Sequence, residues 1–367
     1  MKPADELKIL EVGEFSLFKR NLPDRTTLIF TGQNPTRVAD IDCRVFSPAL
    51  LPWLGRALSR AEWDIVFCYA PVRPLWDRKH GLAVASKALL RRLARPRTLG
   101  TAMLRLPASM PMVMLDLNDE TLVPAHNLPL LDRALLCFKR ELPLDGAKVF
   151  LDATRHLRSH RAVMASPFVA RNLDKLRPIS PAVAQETVRL ALATKPVKQV
   201  DVFFAGSINS SLRAQGLPVL RALQEEGYVV DVGESKLSMA EYLARCARAW
   251  LAWSPEGYGW ECHRHYESSL CLSVPVLSQS GIRRYQPLRH GEHAFFYAPD
   301  GDGLRQAIIT ALADKQRLIK MAEAARAHVL RHHTHRRIVD HMLAESLAAV
   351  EEKEAVMRPP GPAPTAG

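Results

Sequence analysis

Short apolar runs alternate along the chain with amphipathic stretches in which apolar residues recur at helical spacing. That alternation marks βαβ units, in which parallel strands are joined by covering helices. In the first half the apolar runs predict strands over residues 7–12, 27–30, 64–68, 112–115 and 148–151, with helical patterns over 48–60, 82–93 and 132–141. The stretch 176–196 changes character, because Arg177-Pro178, Ser180-Pro181 and Lys195-Pro196 punctuate it around one short helical pattern. Proline removes a backbone donor and interrupts regular elements, so this stretch reads as a connection between domains.

The second half is more regular. Strands are expected over 200–205, 228–232, 249–253, 275–277 and 294–297, and helices over 217–226, 238–247 and 261–272. Gly206 ends the first strand and Gly227 stops the first helix. Ser238 followed by Glu241 has the spacing of a capping box. Two or three helices fill 303–351, and the Pro-rich stretch 358–367 reads as a disordered tail. The expected organisation is an N-terminal Rossmann-like domain over 1–176, a C-terminal one over 177–357, and the tail. No internal repeat is visible.

Composition narrows the class. A chain of 367 residues with 47% hydrophobic and 24% charged positions is ordinary for a globular protein and long enough for two cores. Fifty Lys and Arg against 38 Asp and Glu give a formal charge of +12, which favours an anionic partner without choosing among nucleic acid, phosphate ligand and acidic membrane. No RRM-type aromatic signature, zinc finger or basic helix accompanies the charge, so a nucleic-acid partner is not expected. The six cysteines (Cys43, Cys68, Cys137, Cys246, Cys262, Cys271) form no CxxC pair and mostly sit in apolar runs, as buried thiols do. The first residues lack the apolar core of a signal peptide, and no run approaches the ~20 residues of a membrane span. A cytoplasmic location is expected, with peripheral contact to an anionic membrane through Arg91, Arg92, Arg95, Arg97 and Arg105 as one option.

The segment richest in chemistry is Ser254-Pro255-Glu256-Gly257-Tyr258-Gly259-Trp260-Glu261-Cys262-His263-Arg264-His265-Tyr266-Glu267. It leaves an expected strand, crosses a loop with two glycines and enters an expected helix. Ligands of open parallel sheets bind outside the carboxyl ends of the strands, where glycine lets backbone approach them and a helix start offers N–H groups to an anion. At about 100° per residue, His263, Arg264 and Glu267 share one ~100° sector of that helix. An arginine there can grip a diphosphate with paired hydrogen bonds, and a carboxylate one turn on can accept from ribose or sugar hydroxyls. The bland alternative is an i,i+3 surface ion pair between Arg264 and Glu267.

These residues resemble the donor site of GT-B glycosyltransferases, in particular exostosin-like and bacterial family 1-like enzymes. Their pattern runs roughly S-P-x-G-x-G, then R-x-x-E-A-L, then P-[VI]; Ser254, Pro255, Gly257, Gly259, Arg264, Glu267, Leu270, Pro275 and Val276 match, while Ser268 and Ser273 replace small residues. Val202 to Gly206 with Arg213, and Leu237-Ser238 with Glu241-Tyr242, extend the resemblance outward; over 1–175 only the regions of Asp116 to Glu120 and Phe138 to Glu141 share it. The resemblance implies an α/β GT-B fold with two Rossmann-like domains facing across a cleft. It implies a transfer of sugar from a nucleotide-diphosphate sugar to a saccharide, lipid-linked or protein acceptor. The nucleotide sugar would be a co-substrate, with no cofactor or bound metal.

By that resemblance Arg264 stabilises the departing diphosphate and Glu267 holds the ribose or donor sugar. Gly206, Arg213, Ser254, Glu256, Gly257, Tyr258, Gly259 and His263 complete the donor-binding set. The retaining pattern of two glutamates eight positions apart is missing, since Gly259 stands where the first would be, which leans toward inversion. An inverting enzyme needs a base near the acceptor hydroxyl. Asp116, at the end of an expected strand, is the catalytic candidate, with Asp119, Glu120, Asp42, His126 and Asp152 as further possibilities. A degenerate transferase that binds the donor without catalysis is the alternative. His332, His333, His335 and His341 read as helix-packing or exposed residues rather than metal ligands, and Trp260 as a residue able to stack on a base or sugar.

Overall fold

The computed structural model describes residues 3, 5–32, 34–70, 106, 107, 110–151, 166–233, 237–299 and 301–357. Two all-parallel sheets dominate it. The first contains β1 (Ile9–Gly13), β2 (Thr26–Phe30), β3 (Arg44–Val45), β4 (Ile65–Tyr69), β5 (Met112–Asp116), β6 (Leu136–Lys139) and β7 (Leu176–Pro178), in the order β3-β2-β1-β4-β5-β6-β7. The second contains β8 (Val200–Ala205), β9 (Val230–Gly233), β10 (Ala249–Trp253), β11 (Val274–Ser278) and β12 (Phe295–Tyr297), in the order β12-β11-β10-β8-β9. Strands covered on both faces read as continuous apolar runs, and β4 and β5 are buried at every residue. Alternate side chains leave to opposite sides: Leu10, Val66, Cys68, Met112 and Met114 enter one core, while Ile9, Ile65, Phe67, Val113 and Leu115 enter another.

The helices over the first sheet are α1 (Leu17–Asn21), α2 (Leu51–Ser59), α3 (Leu128–Arg133) and α4 (Pro167–Leu173). Those of the second half are α5 (Gln185–Ala193), α6 (Ser211–Glu225), α7 (Met239–Ala247), α8 (Arg264–Leu270), α9 (Gly303–Leu312) and α10 (Lys315–His332). A last helix, α11 (His335–Met357), returns to the first sheet, where Ile338, Val339, Met342 and Leu343 pack with Phe67, Leu115 and Phe138. The division at 176/177 thus falls within β7, and α11 of the second segment completes a core of the first.

Three sequence expectations differ from the fold. Residues 148–150 lie in a 3-10 turn, Gly146–Phe150, capped by Asp145 through the N–H of Ala147 and followed by Leu151, and not in a strand. The helix expected over 132–141 is the end of α3 followed by β6. Ala134 turns extended, and the apolar Leu136, Cys137 and Phe138 pair with β5 on one side and β7 on the other. A short apolar run suits a buried helix or a buried strand equally, and tertiary pairing decides. The connection at 176–196 contributes β7 and α5 rather than only linking domains. The capping box at Ser238 and Glu241 is present as read. The helical pattern at 82–93, the five-arginine cluster, Asp152 and the tail lie outside the described residues.

Candidate active site

The carboxyl ends of the two sheets face each other, and backbone contacts join them. The Arg283 N–H donates to the Leu142 carbonyl at 2.7 Å, and the Leu144 N–H to Gly281 at 3.0 Å. Into this junction project the turn after β8 and the loop from β10 to α8, as the open-sheet rule for ligand sites requires.

Arg213, on the first turn of α6, ties these two segments together. Its guanidinium donates to the carbonyls of Glu256 and Ser207 and to the side chain of Asn209, each at 2.8 Å. It is 3% exposed, and a Cβ on Gly257 would lie 3.0 Å from its Nη2. Arg213 therefore shapes the loops, and Gly257 leaves it room. Ser254 is buried and bonded to the His265 ring, 2.8 Å from Nδ1. The other ring nitrogen, Nε2, faces the Trp260 carbonyl at 3.4 Å, so Nε2 carries the proton and Nδ1 accepts from Ser254. Burial, with the Arg284 cation nearby, lowers the His265 pKa to about 3 and keeps the ring neutral. Glu256 is half-buried, which raises its pKa, and Tyr258 is 81% exposed. His263 places Nδ1 2.9 Å from the Ala182 carbonyl, a contact to the segment after β7.

Arg264 and Glu267 stand apart from this network. The Arg264 guanidinium lies over Gly206, where an added Cβ would be 3.2 Å from its Cζ. Neither Arg264 nor Glu267 makes a side-chain hydrogen bond or ion pair with the described residues, so the i,i+3 ion pair does not form. Glu267 is 8% exposed, and burial raises its pKa to about 7 against the opposing field of Arg264. A guanidinium with open donors beside a carboxyl with open acceptors, at the carboxyl end of β8, offers contacts of the kind suited to a ligand that is anionic at one end and hydroxylated at the other.

The expected start of the helix is corrected, and the N–H groups around it divide into engaged and open ones. The helix begins at Arg264 rather than Glu261, and the N–H groups of Trp260 and Glu261 already donate to Glu141, at 3.0 and 3.2 Å. Those of His265, Tyr266 and Glu267 donate to the carbonyls of Cys262 and His263, while those of Cys262, His263 and Arg264 have no acceptor among the described residues. Gly259 carries a constraint that the sequence did not show: a Cβ there would run into Oε1 of Glu141 and stand 2.7 Å from its Cδ. This glycine admits a carboxylate of the first domain.

Asp116 is corrected as well. It is fully buried and paired to Lys139 Nζ at 2.9 Å, with no exposure on either side chain. Lys139 also donates to the Glu120 carbonyl at 2.7 Å. A carboxylate so enclosed cannot meet an acceptor hydroxyl; it fixes the loop that follows. That loop brings Asp119 and Glu120 to a cavity of about 430 Å³, lined also by Thr121, Glu256, Tyr258 and Trp260. Asp119 pairs with Arg140 at 2.6 Å, and the same guanidinium donates to the Glu261 carbonyl. Glu261 is fully buried, accepts from the Tyr266 hydroxyl, lies 4.0 Å from Arg284 and has its pKa raised to about 7 by burial. Sequence reasoning included Phe138 to Glu141 in the resemblance and Glu261 in the glycine-loop segment but gave Lys139, Arg140, Glu141 and Glu261 no role. The available signal was three consecutive charges closing a buried apolar strand, a place where unpaired charge is costly.

A larger depression, about 740 Å³, lies at the amino ends of the first sheet, among Lys8, Thr26, Trp53 and Trp63. It is on the side away from the junction, where open sheets do not carry their chemistry. His333 stacks on Tyr266, and His341 on Tyr285, each with ring centroids 4.2 Å apart. Among the described residues no group of three or more His, Cys, Asp or Glu side chains is placed to hold a metal ion, and no helix is long and apolar enough to cross a membrane.

No protein-family model matches the sequence, and no curated protein does. Solved structures match its shape along nearly the whole chain. Alr3699/HepE of Anabaena, crystallised with UDP, is 16% identical over 94% of this chain and 100% of its own, with a TM-score of 0.53. Its complex with UDP-glucose gives 0.50 at 15% identity over the same shares. A glycosyltransferase of Rickettsia africae is 12% identical over 94% of this chain and 99% of its own, with a TM-score of 0.56. The α,α-trehalose 6-phosphate synthase of Burkholderia multivorans is 10% identical over 97% and 100%, with a TM-score of 0.53. With two parallel Rossmann-like sheets meeting at their carboxyl ends, the chain has the GT-B fold.

Proposed function

We propose that the protein is a glycosyltransferase that moves a sugar from a nucleotide-diphosphate sugar to a hydroxyl of a saccharide, lipid-linked or protein acceptor. The observation that carries this is the open pair Arg264 and Glu267 over Gly206, with no partner among the described side chains. The UDP and UDP-glucose complexes of a protein with the same fold support a donor of that chemistry.

In the proposed step the acceptor oxygen forms a bond to the anomeric carbon as the bond from that carbon to the diphosphate breaks. The acceptor proton passes to a base, and the diphosphate leaves with the electron pair. Arg264 meets the charge that develops on the departing diphosphate, so the step does not require a bound metal ion. Glu267 accepts from ribose or sugar hydroxyls. An inverting outcome, favoured by Gly259 in place of a first glutamate, draws its base from Asp119 or Glu120, the carboxylates of the cavity-lining loop.

Calorimetry with UDP tests the binding half. The native chain is expected to bind, and Arg264→Ala to lose about 100-fold or more in affinity with its melting temperature within 2 °C of the parent, since one charge-assisted pair contributes roughly 1.5–3 kcal/mol per bond. Failure to bind UDP, GDP or any nucleotide sugar refutes the proposal. The enclosure of Asp116 favours a second reading, donor binding without turnover. Binding with no release of UDP across a broad acceptor panel selects it.

A further inference from the structure

The structure assigns Glu141, on the first domain, as the positioning residue of the donor loop on the second, and Gly259 as the glycine that admits it. Glu141 follows β6 and is fully buried. One carboxylate oxygen accepts from the Trp260 N–H at 3.0 Å and the other from the Glu261 N–H at 3.2 Å. Its neighbour Arg140 closes the grip from the same strand end, donating to the Glu261 carbonyl and pairing with Asp119 at 2.6 Å. Both edges of the Glu261 peptide environment are thus held by two consecutive residues more than a hundred positions earlier. Three residues on, the chain enters α8 at Arg264.

The glycine follows from the same contact. A Cβ at Gly259 would collide with the Glu141 carboxylate and come 3.2 Å from the Asp119 carbonyl, yet Gly259 lies outside the left-handed region, so its backbone is open to alanine. The glycine is therefore needed for Glu141, in addition to lining the cavity beside Glu256 and Tyr258. The inference rests on the proposed donor site for its functional half; the steric half stands without it.

A double-mutant cycle with Glu141→Ala and Gly259→Ala tests both halves. UDP affinity is read by calorimetry and melting temperature by scanning fluorimetry on the full chain. Gly259→Ala is expected to lower the melting temperature and weaken UDP binding at least ten-fold, a loss of 1.4 kcal/mol. Glu141→Ala weakens binding by a similar factor, because the loop carrying Arg264 loses its anchor. The double variant is expected to be no worse than Glu141→Ala alone. Glu141→Gln, which keeps one acceptor but opposes an N–H with its NH2, falls between parent and Glu141→Ala, and serves if the alanine variant does not fold. Additive losses in the cycle overturn the role of Gly259. Unchanged UDP affinity in Glu141→Ala or Glu141→Gln overturns the positioning role. Tighter UDP binding in either also overturns it, since the carboxylate would then be occupying N–H groups that belong to the diphosphate. If the parent binds no nucleotide, the donor-site reading fails, while the melting-temperature cycle still decides the steric claim.

Discussion

Lys139→Met is the sharpest perturbation available in the first domain. It leaves the Asp116 carboxylate, with no exposed surface, without its 2.9 Å partner and strips the Glu120 carbonyl of a 2.7 Å donor. Breaking a buried ion pair from one side costs about 3–5 kcal/mol, because the remaining charge is neither solvated nor compensated. At roughly 2–4 °C per kcal/mol for a domain of this size, the melting temperature should fall by about 6–20 °C. Adding Asp116→Asn removes the stranded charge, so the double variant should regain most of that loss, short of the bond to Glu120. Guanidinium and thermal unfolding at pH 7 give the stabilities, and release of UDP from a nucleotide sugar gives the activity. A single-variant loss under about 1 kcal/mol would refute the enclosure of the pair. A double variant that is stable, binds UDP normally and yet turns over at least a thousand-fold more slowly would restore Asp116 as a base and refute the structural assignment.

Other outcomes follow from the same reasoning. Glu261 has its pKa raised from 4.5 to about 7 by burial, so the folded chain holds a proton that the unfolded chain releases between those values. This group's favourable contribution is present below about pH 4.5 and is lost as pH rises through about 7, and Glu261→Gln should gain stability relative to the parent between pH 5 and 8 in paired melts. Glu267 ionises near the same pH, and its ionised form accepts more hydroxyl hydrogen bonds. Affinity for UDP-glucose, whose phosphates carry no titrating proton in this range, should rise from pH 6 to 8 in the parent and stay flat in Glu267→Gln by calorimetry. Of the six cysteines, Cys43 and Cys262 are partly exposed and the rest buried, so a thiol reagent should modify those two first in a mass-spectrometric time course. A nucleotide that slows Cys262 and not Cys43 would locate the ligand at the donor loop.

The sequence was most legible where local chemistry and global packing agree. The capping box at Ser238, the apolar strands of the second sheet and the glycine loop leading to Arg264 were each visible because a short-range pattern dictates them. The placement of Arg264 and Glu267 on one face of α8 followed from helical spacing alone, while the burial of Glu267 did not. What could not be read was pairing at a distance. Glu141 and Gly259 acquire their meaning only when two sheet ends meet, and the enclosure of Asp116 depends on a lysine one strand away. The same limit explains β6: nothing local tells Leu136 to Lys139 to extend, and the strands on both sides do.

The return of α11 to the first sheet bears on biosynthesis. As the polypeptide leaves the ribosome, Phe67, Leu115 and Phe138 are made long before Ile338 and Met342, the side chains that cover them. During that interval the nascent first half shows water a greasy surface, open to chaperones and to mispairing with other chains. The order of synthesis thus makes the maturation of the first sheet wait for residues encoded well downstream of it, and a messenger broken before them would yield aggregates rather than a smaller working protein.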